Sequence, residues 1–83
     1  LGAARGAVCK LSPDEEVGGA LGLVEGVETG LSVLAAGWGP VWAAMSAGAV
    51  ADFPVLSGVR TLTIFADHDD AGLQAARRCA RRW

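Results

Sequence analysis

The sequence predicts an α/β domain, a compact and mostly parallel sheet flanked by helices. Three observations carry that expectation. Short apolar runs recur between Gly, Pro and polar breakers, as in strands buried on both faces. Segments of helical spacing lie between them, opened by acids or hydroxyls and closed by Gly or Pro. The two kinds alternate, which implies right-handed crossovers between parallel strands.

The first run, 6–11, reads as a short strand, broken by Ser12-Pro13-Asp14-Glu15-Glu16 and then Gly18-Gly19. The next, 20–24, ends at Glu25-Gly26. The connection is too short for a crossover helix, so these two strands are expected to form an N-terminal hairpin. Residues 28–36 read as a helix. Glu28 and the Thr29 hydroxyl suit its amino end, and Gly37 supplies the stop. Leu31, Leu34 and Ala35 would share its apolar face.

After the turn Trp38-Gly39-Pro40, residues 41–45 form a strand, with Trp38 and Trp42 as packing residues. Ser46 caps a short helix over 47–53, which Pro54 ends. Residues 61–66, β-branched and aromatic, give the clearest strand. From Ala71 the pattern is helical. Leu73, Ala76, Ala80 and Trp83 share one face, with Cys79 at its edge. Gln74, Arg77, Arg78, Arg81 and Arg82 occupy the other.

A chain of 83 residues holds one small domain, spanning 1–83, near the size where a single core is marginal. It opens on Leu1 and closes on Trp83 inside a helical pattern, and is expected to be a piece of a longer protein. The net charge of −2 gives no overall attraction to nucleic acid, yet four of the seven basic residues lie in the last seven positions. Cys9 and Cys79 are too few for a disulfide framework and match no zinc spacing, so reduced thiols are expected. No apolar run approaches a membrane span of about 20 residues, and no signal segment opens the chain. A cytoplasmic protein without membrane contact is the expectation.

The chemistry centres on Ala66-Asp67-His68-Asp69-Asp70-Ala71-Gly72, which follows the clearest strand. Like charges gathered there resist ionisation unless donors or a cation compensate. In open α/β sheets, functional residues gather beyond the carboxyl ends of the strands. Two strand ends here carry acids: Glu25, and Asp67 with Asp69. In extended backbone Asp67 and Asp69 point the same way and His68 away. If the strands are neighbours, three carboxylates form an oxygen-only site suited to Mg²⁺ or Mn²⁺. Gly26 and Gly72 let backbone turn or approach a ligand, and Gly72 lies near a helix start, where anions are favoured.

Glu25-Gly26, followed about forty residues later by Asp67-x-Asp69-x-x-Gly72 after an apolar strand, resembles the Toprim domain of topoisomerases and bacterial-type primases. The longer wording is Leu23-Val24-Glu25-Gly26-Val27-Glu28-Thr29 with Phe65-Ala66-Asp67-His68-Asp69-Asp70-Ala71-Gly72. It is most similar to the Toprim domain of phage- and plasmid-type primases and primase-helicases. The resemblance implies a Rossmann-like fold with a further C-terminal strand missing from this chain. It implies an enzyme of DNA replication, a Mg²⁺-dependent (or Mn²⁺-dependent) nucleotidyltransferase that makes RNA primers. Glu25 would be the general acid/base or a metal ligand, Asp67 and Asp69 metal ligands, and Gly26 and Gly72 the motif glycines. Single-stranded DNA template and nucleoside triphosphates would be the partners, with a helicase domain or subunit in the parent protein.

Other readings stay open. A Toprim-type nuclease would use the same metal site, and a non-catalytic Toprim module would bind DNA or a partner without turnover. A phosphoacceptor receiver-like domain wants a lysine on a later strand, whereas the only lysine is Lys10. Asp70 is expected as the helix N-cap, Glu28 as a first-turn helix acid and His68 as an exposed loop residue. Arg77, Arg78, Arg81 and Arg82 form either a solvated face near a helix C-terminus or a phosphate contact.

Overall fold

The computed structural model describes residues 8–83. Its elements are β1 (Cys9–Lys10), β2 (Ala20–Val24), α1 (Val27–Ala35), β3 (Val41–Ala43), α2 (Ala47–Ala51), β4 (Thr61–Phe65) and α3 (Asp70–Arg82), with a 3-10 turn at Asp14–Glu16. This is the expected α/β architecture. The four strands form one sheet in the order β1-β3-β2-β4. β2 pairs parallel with both β3 and β4, and β1 pairs antiparallel with β3. No helix among the described residues is long and apolar enough to cross a membrane.

The expected hairpin between the first two strands does not form. Both edges of β2 are taken by parallel partners, so β1 lies on the far side of β3. Ser12 holds it there. Its backbone N–H donates to the Val41 carbonyl at 3.1 Å, and its buried hydroxyl accepts the Val41 N–H at 3.0 Å. The Trp42 indole N–H donates to the Ser12 carbonyl at 3.0 Å. Residues 6 and 7 of the expected first strand lie outside the described residues.

Alternation along β2 divides the core in two. Leu21 and Leu23 pack with Trp42, Val50, Phe53, Ala75 and Cys79, beneath α2 and α3. Val24 packs with Val41 and Ala43 beneath α1. The helices therefore cover both faces. The chain leaves β2 over one face to reach β3, then returns over the other to β4. The strand order reverses between β2 and β4, and the carboxyl ends of those two strands form the switch point.

Both long helices sit rotated from their expected faces by about one residue. In α1 the inward residues are Val27, Gly30, Val33 and Leu34, whereas Leu31 is 53% exposed. In α3 they are Gly72, Ala75 and Cys79, whereas Leu73 is 40% exposed and Ala80 lies outside. The cause is shared. A Cβ on Gly30 would meet Leu11 Cδ1 and stand 3.1 Å from Val24 Cγ2. A Cβ on Gly72 would stand 3.0 Å from Asp67 Cβ. Each helix turns its glycine onto the closely packed side, against the Leu11 and Val24 side chains at Gly30 and against Asp67 at Gly72, and larger apolar side chains are turned outward.

The helix ends follow their local sequence. Gly37 closes α1 with φ +91°. Ser46 caps α2 by accepting the Ala49 N–H at 3.0 Å. β3 and α2 are shorter than expected, because the chain turns sharply at Met45 and leaves the helix at Asp52. Trp38 and Trp42 pack as expected, edge-on to Phe65 and Phe53 with ring centroids 5.1 and 6.4 Å away. Cys79 is fully buried, and burial pushes its thiol above the usual range. Cys9 is a free thiol.

Candidate active site at the switch point

Val24 pairs with Phe65 in the parallel β2–β4 ladder. The residues that leave those strands, Glu25 and Asp67, therefore emerge side by side at the carboxyl edge of the sheet. The Glu25 main chain is held from the other side. Ala44 N–H donates to the Val24 carbonyl at 2.8 Å, and Met45 N–H to the Glu25 carbonyl at 2.6 Å. Met45 makes that bond with φ +84°, in the left-handed region that a long side chain adopts only when its surroundings impose it. Its side chain is 57% exposed. Met45 thus supports Glu25 through its backbone, a role no side-chain pattern in the sequence signals.

Glu25 is half-buried. Burial first, then a hydrogen bond to the Asp67 carboxylate and the charges of Asp67 and Asp69, hold its carboxyl above the usual range. No basic side chain contributes to the shift.

Asp67 and Asp69 do different things. Asp67 is half-buried and meets Glu25. Asp69 is the N-cap of α3: its Oδ1 accepts the Gly72 N–H at 2.6 Å. The N-cap expected at Asp70 therefore belongs to Asp69, and Asp70 is the first helical residue. Leu73 N–H, the donor that a cap at Asp70 would need, already donates to the Asp69 carbonyl at 3.0 Å. Asp69 still acts on Glu25 through its charge, and its second oxygen is uncommitted to the cap.

Gly72 fits the close-approach role, since its missing Cβ makes room for the Asp67 carbonyl and Asp69 Oδ1, each 3.0 Å from the Cβ position. Gly26 differs. It is the N-cap residue of α1, with extended backbone at φ −114°, and a Cβ there would meet nothing within 4 Å. The fold does not require glycine at 26, so the open space is available to a ligand. His68 is exposed, and Glu28 is an exposed acid in the first turn of α1, both as expected.

Among the described residues no three His, Cys, Asp or Glu side chains stand together as a ready-made metal cage. The donors nevertheless suit a hard cation. Mg²⁺ is commonly held by one or two carboxylates and keeps waters or phosphate oxygens elsewhere. Glu25 and Asp67 offer such a pair, and their mutual repulsion is the kind a divalent cation relieves.

The four arginines divide. Arg82 Nη1 donates to the Phe53 carbonyl at 2.8 Å, so Arg82 serves the fold. Arg78 lies 3.5 Å from Asp52 in an exposed ion pair. Arg77 and Arg81 project from the outer face of α3.

The Toprim domain family matches residues 20–83, from the start of β2 to the end of the chain. This chain belongs to the Toprim family. The matched span holds β2, β4 and all three helices, hence both halves of the carboxylate site. Toprim domains occur in metal-dependent nucleic-acid enzymes, often nucleotidyltransferases or nucleases, and generally bind Mg²⁺. No curated protein and no solved structure matches the chain.

Proposed function

We propose that this Toprim domain is the catalytic part of a primase-type nucleotidyltransferase. It would join a ribonucleotide 3′-oxygen to the α-phosphorus of an incoming nucleoside triphosphate on a single-stranded DNA template, breaking the α–β phosphoanhydride bond and releasing pyrophosphate. One observation carries the reading: Val24 and Phe65 pair in the parallel β2–β4 ladder, which brings Glu25 and Asp67 out together at the switch point. A general acid or base works best when its pKa lies near the operating pH, and Glu25 is moved in that direction.

Glu25 takes the proton of the attacking hydroxyl. Asp67 stands beside Glu25 and its charge acts on the Glu25 carboxyl. Asp69 ties the 67–69 loop to the amino end of α3. Gly26 leaves the backbone beside Glu25 open to substrate. Mg²⁺ or Mn²⁺, held by Asp67 and Asp69 with or without Glu25, would supply neutralisation of phosphate charge. The wording of the motifs around Glu25 and Asp67 resembles that of primases and primase-helicases, and a helicase partner fits that reading.

The test is template-directed incorporation of labelled ribonucleotides by the protein that carries this domain. Glu25→Gln should lower incorporation by about 10²-fold or more. Undiminished synthesis would remove Glu25 from the chemistry. Cleavage of the strand without synthesis would make the domain a nuclease.

A further inference from the structure

We infer that the groove between α2 and α3 is a track for single-stranded nucleic acid running away from the carboxylate site. The class of ligand rests on the proposed function above; the groove itself is tested apart from it. The groove has a volume of about 530 Å³. It is lined by the small residues Ala47, Gly48, Ala51 and Ala75, of which Ala51 and Ala75 are buried, and by the exposed Arg77, Arg78 and Arg81. A lining of methyl-sized groups lets a sugar–phosphate backbone lie close, and guanidinium groups suit phosphate oxygens.

Charge and direction favour this occupant. Among the described residues Arg77 and Arg81 have no carboxylate within ion-pair distance, and the Arg78–Asp52 pair is exposed and easily exchanged. Ala47 and Ala71 mark one end of the groove. Ala47 is the first residue of α2 and Ala71 the second of α3, so both lie near the carboxyl ends of the preceding strands, the edge where Glu25 and Asp67 emerge. From Ala71 to Arg81 the helix rises about 15 Å, so the arginines extend outward from the acids. No aromatic side chain lines the groove, so contact is with phosphates and tolerant of sequence. An acidic peptide would meet the same arginines but gains nothing from continuity with the carboxylate site.

The test is fluorescence anisotropy of a labelled oligothymidylate with the full chain in EDTA, across a salt series. The triple variant Arg77→Gln/Arg78→Gln/Arg81→Gln should bind at least about tenfold more weakly, with a salt slope shallower by about 2. Ala71→Glu places a carboxylate at the groove mouth, where the amino end of α3 tolerates it; it should weaken binding at unchanged thermal stability. Arg82→Gln, outside the groove, should change affinity by less than about twofold if phosphate contacts lie in the groove. Wild-type affinity and slope in the triple variant would overturn the inference. So would absent binding by the wild type, or tighter binding of oligoglutamate than of oligothymidylate. A failure of ribonucleotide incorporation would count against the primase reading and leave these metal-free results intact.

Discussion

Gly72 gives Asp67 its place: a Cβ on Gly72 would stand 3.0 Å from both the Cβ and the carbonyl oxygen of Asp67. Gly72→Ala therefore sets two effects against each other. Alanine favours the helix by about 0.5–1 kcal/mol, and overpacking costs about 1–3 kcal/mol. The expected net loss is about 1 kcal/mol, a fall in Tm of about 4–8 °C for a domain of this size. Gly26→Ala meets open space, so it should lose only what alanine gives up as an N-cap, less than Gly72→Ala loses, while weakening nucleotide binding. Thermal melts of the two variants, with nucleotide titrations, check the contrast. Equal destabilisation would mean that both glycines serve packing.

Asp69 serves the helix and the site through different oxygens, and two substitutions separate these roles. Asp69→Ala removes the acceptor for the Gly72 N–H and should cost about 1 kcal/mol. Asp69→Asn keeps an acceptor oxygen and should stay near wild-type stability, yet lose the charge that acts on Glu25. Mg²⁺ titration followed by Tm gives the second readout, because a ligand bound only by the folded state raises stability. Full Mg²⁺ stabilisation of Asp69→Asn would confine Asp69 to capping.

The raised Glu25 carboxyl makes stability depend on pH in a definite direction. The folded state holds this proton more tightly than the unfolded chain does. Its contribution is fully present below the unfolded value of about 4.3. It is lost as pH rises through the folded value. In metal-free protein, Glu25→Gln should thus raise Tm at neutral pH and not at about pH 3. Mg²⁺ should raise the wild-type Tm and leave Glu25→Gln with little gain. A gain from Glu25→Gln of equal size at both pH values would show that it arises elsewhere.

The parts legible in the sequence were those with a strong local signal. The runs at 20–24 and 61–66 became β2 and β4, one residue shorter in the second case. Because acids follow both runs, the switch-point site could be placed before the strand order was known. Tertiary choices were not legible. The partner of β1 depends on Ser12 bonding to β3 across the sheet, and a serine beside a proline reads only as a turn. The inward faces of α1 and α3 were displaced because hydropathy gives glycine no weight, while Gly30 and Gly72 mark the tightest contacts. The cap fell on Asp69 rather than Asp70 for a similar reason. Three acids in four positions compete for one helix start, and the choice depends on which one reaches the Gly72 amide.

Close approach at a glycine also governs the edge of the sheet at Phe65, on the face that α1 covers. There Trp38 reaches across Gly22 to meet Phe65 edge-on at 5.1 Å. A Cβ on Gly22 would run into the Trp38 ring and stand 3.2 Å from Phe65. Gly22→Ala should therefore cost about 1–3 kcal/mol by expelling the indole. A smaller side chain at 38 should accept the added methyl. Gly22→Ala with Trp38→Leu is expected to be more stable than the sum of the two single losses, by at least about 0.5 kcal/mol. Chemical denaturation of the four proteins in this cycle measures the coupling. Strict additivity would mean that Trp38 can leave Gly22 without loss, and that the edge of β4 is held by other contacts.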